Sequence, residues 1–254
     1  MKNTLMRAAV LVTGLVLAGS VFGQDPSTHL AFDQASNYVD WGGNPSLNEG
    51  FGFSAWTFDQ GGGDGGFAGR YLGGTAIGDP AFGLFSGNAS GAFSSAFRRF
   101  DSPLAAGDTF SVDIGHTPTV NGEVGLNLIN NGAIVFTLKF VSLAPSWTIN
   151  DGGVTDFGIA QGYEPNTALS FSFTYNGGNS YSYSFGSASG NNFTATSDIS
   201  SIDEVGFFSV NQGSDQNFGI NNLAVIPEPS SILMMGLAGL AAGGLTVLKR
   251  RRLS

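Results

Sequence analysis

Residues 169–175 read Leu-Ser-Phe-Ser-Phe-Thr-Tyr, an unbroken alternation of large apolar and small hydroxyl side chains. Successive side chains of an extended chain point to opposite faces, so Leu169, Phe171, Phe173 and Tyr175 share one face and Ser170, Ser172 and Thr174 the other. A helix would scatter the same residues around its circumference. The period predicts a half-buried strand, and a one-residue slip in its pairing would turn the aromatic row to water.

The same period recurs in Phe110-x-Val112-x-Ile114, Val124-x-Leu126-x-Leu128, Phe136-x-Leu138-x-Phe140 and Tyr181-x-Tyr183-x-Phe185. Asn130-Asn131-Gly132 and Asn176-Gly177-Gly178-Asn179 separate two pairs of these runs and supply the positive φ angles of tight turns, which predicts two β-hairpins. Further strands are expected at 29–32, 51–58, 69–72, 82–85, 92–100, 193–196, 205–210 and 218–225. About a dozen short strands at roughly ten-residue spacing, with no helix between them, predict an all-β fold. The expected architecture is a two-sheet antiparallel β-sandwich of the jelly-roll type, with aromatic rows between the sheets and Ser and Thr facing water. The glycine-rich run 61–66 interrupts the first half as a loop.

Both ends of the chain differ from this pattern. Lys2 and Arg7 precede an apolar core over 8–18, and Val21-Phe22-Gly23 places tolerated residues before a cut, so 1–23 read as a secretory signal peptide, with cleavage after Gly23 or near Ser20. The final segment, 226–254, joins Pro227-Glu228-Pro229 to an uncharged apolar run over 230–248 and then to Lys249, Arg250, Arg251 and Arg252. At 1.5 Å per residue the apolar run reaches roughly 28 Å as a helix, close to a hydrocarbon core. The basic cluster keeps its end cytoplasmic, and the residues before Pro227 are expected on the other side.

This tripartite tail resembles the PEP-CTERM sorting signal of exported bacterial proteins. The resemblance implies recognition and cleavage near the Pro-Glu-Pro by an exosortase after passage through the secretion translocon, with transient membrane anchorage by the C-terminal helix. It also implies delivery to the cell surface or extracellular matrix of a Gram-negative bacterium, in systems that accompany exopolysaccharide and biofilm formation. It concerns destination, not activity.

The segment 24–225 is expected to be one passenger domain, long enough to bury a substantial core. Within residues 24–229 only Arg70, Arg98, Arg99 and Lys139 are basic, and these four face all 19 acids, a formal charge of −15. Such a polyanion is a poor partner for nucleic acid, whose phosphates are gripped by clustered Lys and Arg. Cysteine is absent, so disulfides, thiol nucleophiles and thiolate metal sites are excluded.

The order 32–38 (Phe-Asp-Gln-Ala-Ser-Asn-Tyr), Gly50-Phe51-Gly52-Phe53, Phe82-Gly83-Leu84-Phe85 and 217–223 (Asn-Phe-Gly-Ile-Asn-Asn-Leu) resembles a recurrent PEP-CTERM passenger domain of concanavalin-like or laminin-G-like jelly-roll type. That resemblance supports the fold and transfers no catalytic residues.

Chemistry-bearing constellations are sparse. Glu123, Glu164, Asp203 and Glu204 are acids without a glycosidase motif, no Gly-x-Ser-x-Gly elbow exists, and His29 and His116 stand far apart in sequence. No catalytic residue is assigned. Asp59, Asp64, Asp151 and Asp156 fall on glycine-rich turns that offer the hard oxygen ligands calcium takes, although neither turn matches a known calcium loop; solvated turns are the other reading. Trp41 and Tyr163, in Gly- and Pro-rich sequence, are candidates for stacking on a sugar, whereas Trp56 and Trp147 beside strand-like runs are expected in the core. The function expected first is that of an exported, non-enzymatic surface or matrix protein associated with extracellular polysaccharide. A jelly-roll carbohydrate-binding module comes second and a glycan-active enzyme third.

Overall fold

The computed structural model describes residues 28–41, 47–62, 67–118, 121–153, 156–213 and 217–228. Along the chain they form β1 (Ala31–Asp33), a 3₁₀ turn (Ala35–Asn37), β2 (Thr57–Gly62), β3 (Ala68–Thr75), β4 (Gly78–Ser86), β5 (Ala92–Arg99), β6 (Thr109–His116), β7 (Glu123–Asn130) and β8 (Ala133–Val141). They continue through β9 (Ser146–Asn150), β10 (Phe157–Gly162), β11 (Leu169–Gly177), β12 (Ser180–Phe185), β13 (Ala188–Thr194), β14 (Ile202–Val210) and β15 (Asn217–Ile226). An eight-stranded sheet runs β13-β12-β11-β6-β15-β4-β3 with β1 also on β15, and a seven-stranded sheet runs β10-β9-β8-β7-β14-β5-β2. Neighbouring strands are antiparallel throughout. The chain is thus an all-β, two-sheet jelly-roll sandwich, as the alternation predicts.

The 169–175 alternation is β11, with its four apolar side chains buried and its hydroxyl residues facing outward. Both expected hairpins form. Asn131 (φ 49°) and Gly132 (φ 83°) turn β7 into β8, and Gly177 (φ 96°) and Gly178 (φ 62°) turn β11 into β12. Between the sheets Phe136 of β8 meets Phe171 and Phe173 of β11 at ring-centroid distances of 5.9 and 5.1 Å. At the other end Trp41 packs on Trp56 (5.2 Å) and Phe82 (4.7 Å).

Three expectations are corrected. The stretch 51–58 is not one strand: Gly52 at φ +72° breaks it, leaving isolated bridges at Phe51 and Phe53 before β2 starts at Thr57 and runs into the glycine run. The strand expected at 193–196 lies earlier, at Ala188–Thr194. Strands β9 and β10 extend the seven-stranded sheet without having been anticipated, because neither shows more than two alternating apolar residues. The signal peptide, the apolar run over 230–248, Asp64, Pro229 and the basic cluster Lys249, Arg250, Arg251, Arg252 lie outside the described residues.

Among the described residues one ion pair is buried between the sheets. Arg98 of β5 meets Asp33 of β1 at 3.0 Å with both side chains fully buried. The same Asp33 oxygen accepts hydrogen bonds from the Tyr38 hydroxyl (2.9 Å) and the Trp56 indole (3.1 Å). Arg98 also donates to the carbonyls of Leu47 (3.0 Å) and Ser54. Burial outweighs Arg98 and these donors and raises the Asp33 pKa to about 6.

The two partners are not equivalent. Asp33 can relieve a lost partner by taking a proton, whereas a guanidinium cannot shed one. Asp33→Asn is therefore expected to cost about 3–5 kcal/mol in denaturant unfolding, and Arg98→Met clearly less. An acid whose pKa is raised by folding stabilises the fold as pH falls, so Arg98→Met should be more stable at pH 5 than at pH 7. Equal losses for the two variants, with no such pH trend, would contradict this account.

Candidate functional site

The outer face of the eight-stranded sheet is a field of small polar groups set by the period of two. Register places Ser170 opposite Asp113, Ser172 opposite Ser111 and Thr174 opposite Thr109. Hydroxyls bond across the strands, Thr109 to Thr174 at 2.8 Å and Ser172 to Ser184 at 2.7 Å. Asp113 is the one charged group on the outward side of β6.

Pairing of β15 with β6 is interrupted beside it. Asn221 lies opposite Asp113 and Ala224 opposite Ser111, so Asn222 and Leu223 together face the single residue Val112. This bulge keeps Leu223 in the core and leaves Asn222 outward at φ +53°. The Asn222 amide donates to Asp113 Oδ2 at 2.8 Å, and the Ser170 hydroxyl donates to Asp113 Oδ1 at 2.5 Å. Asn221 ties the bulge down by accepting from the Ala35 amide (2.9 Å) and donating to the Pro80 carbonyl (3.1 Å).

Around this carboxylate runs a groove of about 300 Å³ whose lining includes Ser111, Asp113, Ser170 and Asn222 on the polar side and Phe32, Ala224 and Ile226 on the apolar side. The His29 ring lies 5.6 Å from that of Phe32 and also faces the groove. The domain's bases are elsewhere. Arg98, Arg99 and Lys139 belong to the seven-stranded sheet, and Arg70 of β3 donates to the Trp41 carbonyl and the Gln60 side chain. Asp113 is therefore a carboxylate fixed by two neutral donors. A groove that mixes a few convergent polar groups with apolar wall has the make-up of a small-molecule or saccharide site.

The residues singled out in the sequence lie apart from it. Trp41, expected to stack on sugar, is fully buried among Trp56, Phe58 and Phe82, so it offers no platform; Trp56 and Trp147 are core residues as expected. Tyr163 is 38% exposed, with its ring stacked on Phe140 at 4.7 Å. Asp151 accepts from the Tyr181 hydroxyl (3.0 Å), and Asp156 pairs with Lys139 (3.0 Å); the Asn150 amide, followed by Lys139, holds the Asp156 pKa below the usual carboxylate value. These two share the β9–β10 connection, whereas Asp59 is exposed on β2 at the far edge of the sheet. Among the described residues no three His, Asp or Glu side chains converge as a metal site would require.

The acids considered for catalysis are dispersed: Asp203 and Glu204 flank Arg99, and Glu123 lies 3.6 Å from Lys139. His116 is buried, and burial lowers its pKa. Pro227 is buried and Glu228 exposed just past β15. Asp113 and Asn222 were missed in sequence. The available signals were an acid at an outward position of the Phe110-x-Val112-x-Ile114 run and an Asn-Asn pair that breaks the alternation of 218–225.

No known family matches the chain, and no curated protein matches it. Among solved structures the sandwich is similar to part of a sialidase (TM-score 0.58, 10% identity, covering 81% of this chain and 19% of that one). It is also similar to a protein from a study of endo-acting O-glycanases that human gut microbiota express to initiate mucin breakdown (0.55, 7%, 79% and 99%). A third is a conserved carbohydrate esterase from the Shiga toxin-encoding bacteriophage phi24B (0.50, 14%, 79% and 99%). The chain spans under a fifth of the sialidase. At these identities the likeness shows the shared fold alone.

The left-handed backbone at Asn222 gives a direct check on the bulge. Asn222→Gly, which accepts φ +53° without strain, should change unfolding free energy by less than about 1 kcal/mol; Asn222→Val, whose branched Cβ does not, should cost about 2 kcal/mol. Equal stability of the two variants would mean that the bulge is absent.

Proposed function

We propose that the chain is an exported, non-catalytic glycan-binding protein of the cell surface or extracellular matrix, and that it holds sugar in the Asp113 groove. The observation that carries this reading is a fixed carboxylate flanked by an amide and hydroxyls, facing an apolar wall, on a sheet face otherwise made of small polar groups. Sugars present that duality, with hydroxyls around the ring edge and C–H groups on its faces. The names of the fold's relatives concern proteins that act on carbohydrates, which supports the substrate class. Among the described residues the groove's lining includes one carboxylate, and glycoside hydrolysis by the usual route needs two, which favours binding over turnover.

The route rests on the tail. The Pro-Glu-Pro, apolar run and basic cluster support export through the secretion translocon, transient anchorage and exosortase processing, with extracellular polysaccharide as the eventual partner.

Binding is tested with the purified passenger on a polysaccharide panel: saturable retention on at least one glycan is expected, weakened about tenfold or more by Asp113→Ala and unchanged by Tyr163→Ala. Retention that Asp113→Ala leaves intact would remove the groove from the account. Sorting is tested by the intact mass of the mature protein in a host with and without its exosortase. A C-terminus near Pro229 is expected only when the enzyme is present, and a tail intact through Ser254 in both hosts would refute the route.

A further inference from the structure

The hydrogen bonding of Asp113 narrows the ligand. Each carboxylate oxygen carries two acceptor positions. Oδ1 spends one on the Ser170 hydroxyl and Oδ2 one on the Asn222 amide, and both oxygens belong to a side chain that lines the groove. One acceptor position per oxygen therefore remains for a ligand. Both protein donors are neutral, and among the described residues the four Lys and Arg side chains lie elsewhere, so no ammonium or guanidinium group offsets the charge; the one imidazole in the lining is His29.

Resting on the glycan-binding reading above, we propose that the groove selects uncharged sugar residues bearing a free vicinal diol and rejects sugars carrying carboxylate or sulfate. Two hydroxyls on adjacent carbons donate one hydrogen bond to each carboxylate oxygen, a bidentate, charge-assisted arrangement. The C–H face of the ring then lies toward Phe32, Ala224 and Ile226. An anionic sugar would bring like charge against Asp113 with no Lys or Arg among the described residues to offset it there, on a segment, 24–229, whose formal charge is already −15. Selectivity of this kind uses repulsion as well as attraction.

The linkage of a glucan makes the diol requirement measurable. A linear 4-linked glucan keeps the 2,3-diol on every residue, whereas a linear 3-linked glucan has none on its internal residues. Wild-type protein is expected to bind soluble 4-linked glucan oligosaccharides in calorimetry at least tenfold more tightly than 3-linked ones of equal length, and to bind neither alginate nor polygalacturonate oligosaccharides. Asp113→Asn, with folding verified by circular dichroism, should lose that preference and no longer exclude the acidic oligosaccharides. Tight binding of an acidic oligosaccharide, or equal binding of the two glucans, that is abolished by Asn222→Gly would overturn the diol rule while leaving the groove as the site. Absence of binding to every glycan, or binding indifferent to both substitutions, would overturn the groove reading itself.

Discussion

The buried contact between Arg98 and Asp33 sets constraints well beyond its own 3.0 Å. It joins β5 of one sheet to β1 of the other, and Arg98 also gathers the carbonyls of Leu47 and Ser54 from a stretch with little regular structure. An isolated charge in that position would be prohibitively costly, so the pair is tolerable only with its full set of Tyr38, Trp56 and carbonyl partners in place. The requirement fixes the phase of β1. With Asp33 and Ala31 turned inward, alternation turns Phe32 outward, and Phe32 is the aromatic wall of the groove. Core electrostatics on one face of a three-residue strand thereby position a groove-lining ring on the other.

How much of this was legible in the sequence follows from how local each cause is. Period-two burial and turn chemistry are decided within about ten residues, so β11, β12 and both Asn- and Gly-based hairpins could be read directly. Trp41 shows the opposite case. Its neighbours are glycine and proline, which reads as loop, yet rings from β2 and β4 and from the segment before β2 close over it. The site was illegible for the same reason. Asp113 and Asn222 are 109 positions apart and meet only because β15 pairs with β6 and bulges there. Calcium was suggested by acids on glycine-rich turns, but Asp151 and Asp156 hold tyrosine and lysine partners that sequence spacing does not disclose.

The abundance of glycine beside phenylalanine, 39 and 22 residues, has a structural meaning once register is known. Tyr71 stands directly across from Gly83, and Phe97 directly across from Gly206. In each case the ring occupies the place where a Cβ would stand, at 2.3 Å and 2.8 Å from its ideal position. A ring laid flat over a cross-strand glycine covers backbone that the glycine leaves bare and buries part of its own area. These rings are on the outer faces and only half-buried, so the composition that looks like low-complexity bias is in part a device for covering sheet surface without thickening it.

The last strand carries the most consequences. Strand β15 is hydrogen-bonded to β6 along one side and to β4 and β1 along the other. Neither the eight-stranded sheet nor the groove, to which it contributes Asn222, Ala224 and Ile226, is complete until residue 226 has docked. Pro227 is buried immediately afterwards, and the Glu228 side chain fills the space where a Cβ on Gly107 would be; burial raises the pKa of Asp108 and the Glu228 charge adds to it. The Pro-Glu-Pro thus begins on the folded body with no spacer. A cut upstream of Ile226 would remove a central strand and with it the bulge that holds Asp113, whereas a cut beyond Glu228 leaves every described contact intact. The last described strand therefore limits where a cut could fall and still leave the sandwich whole.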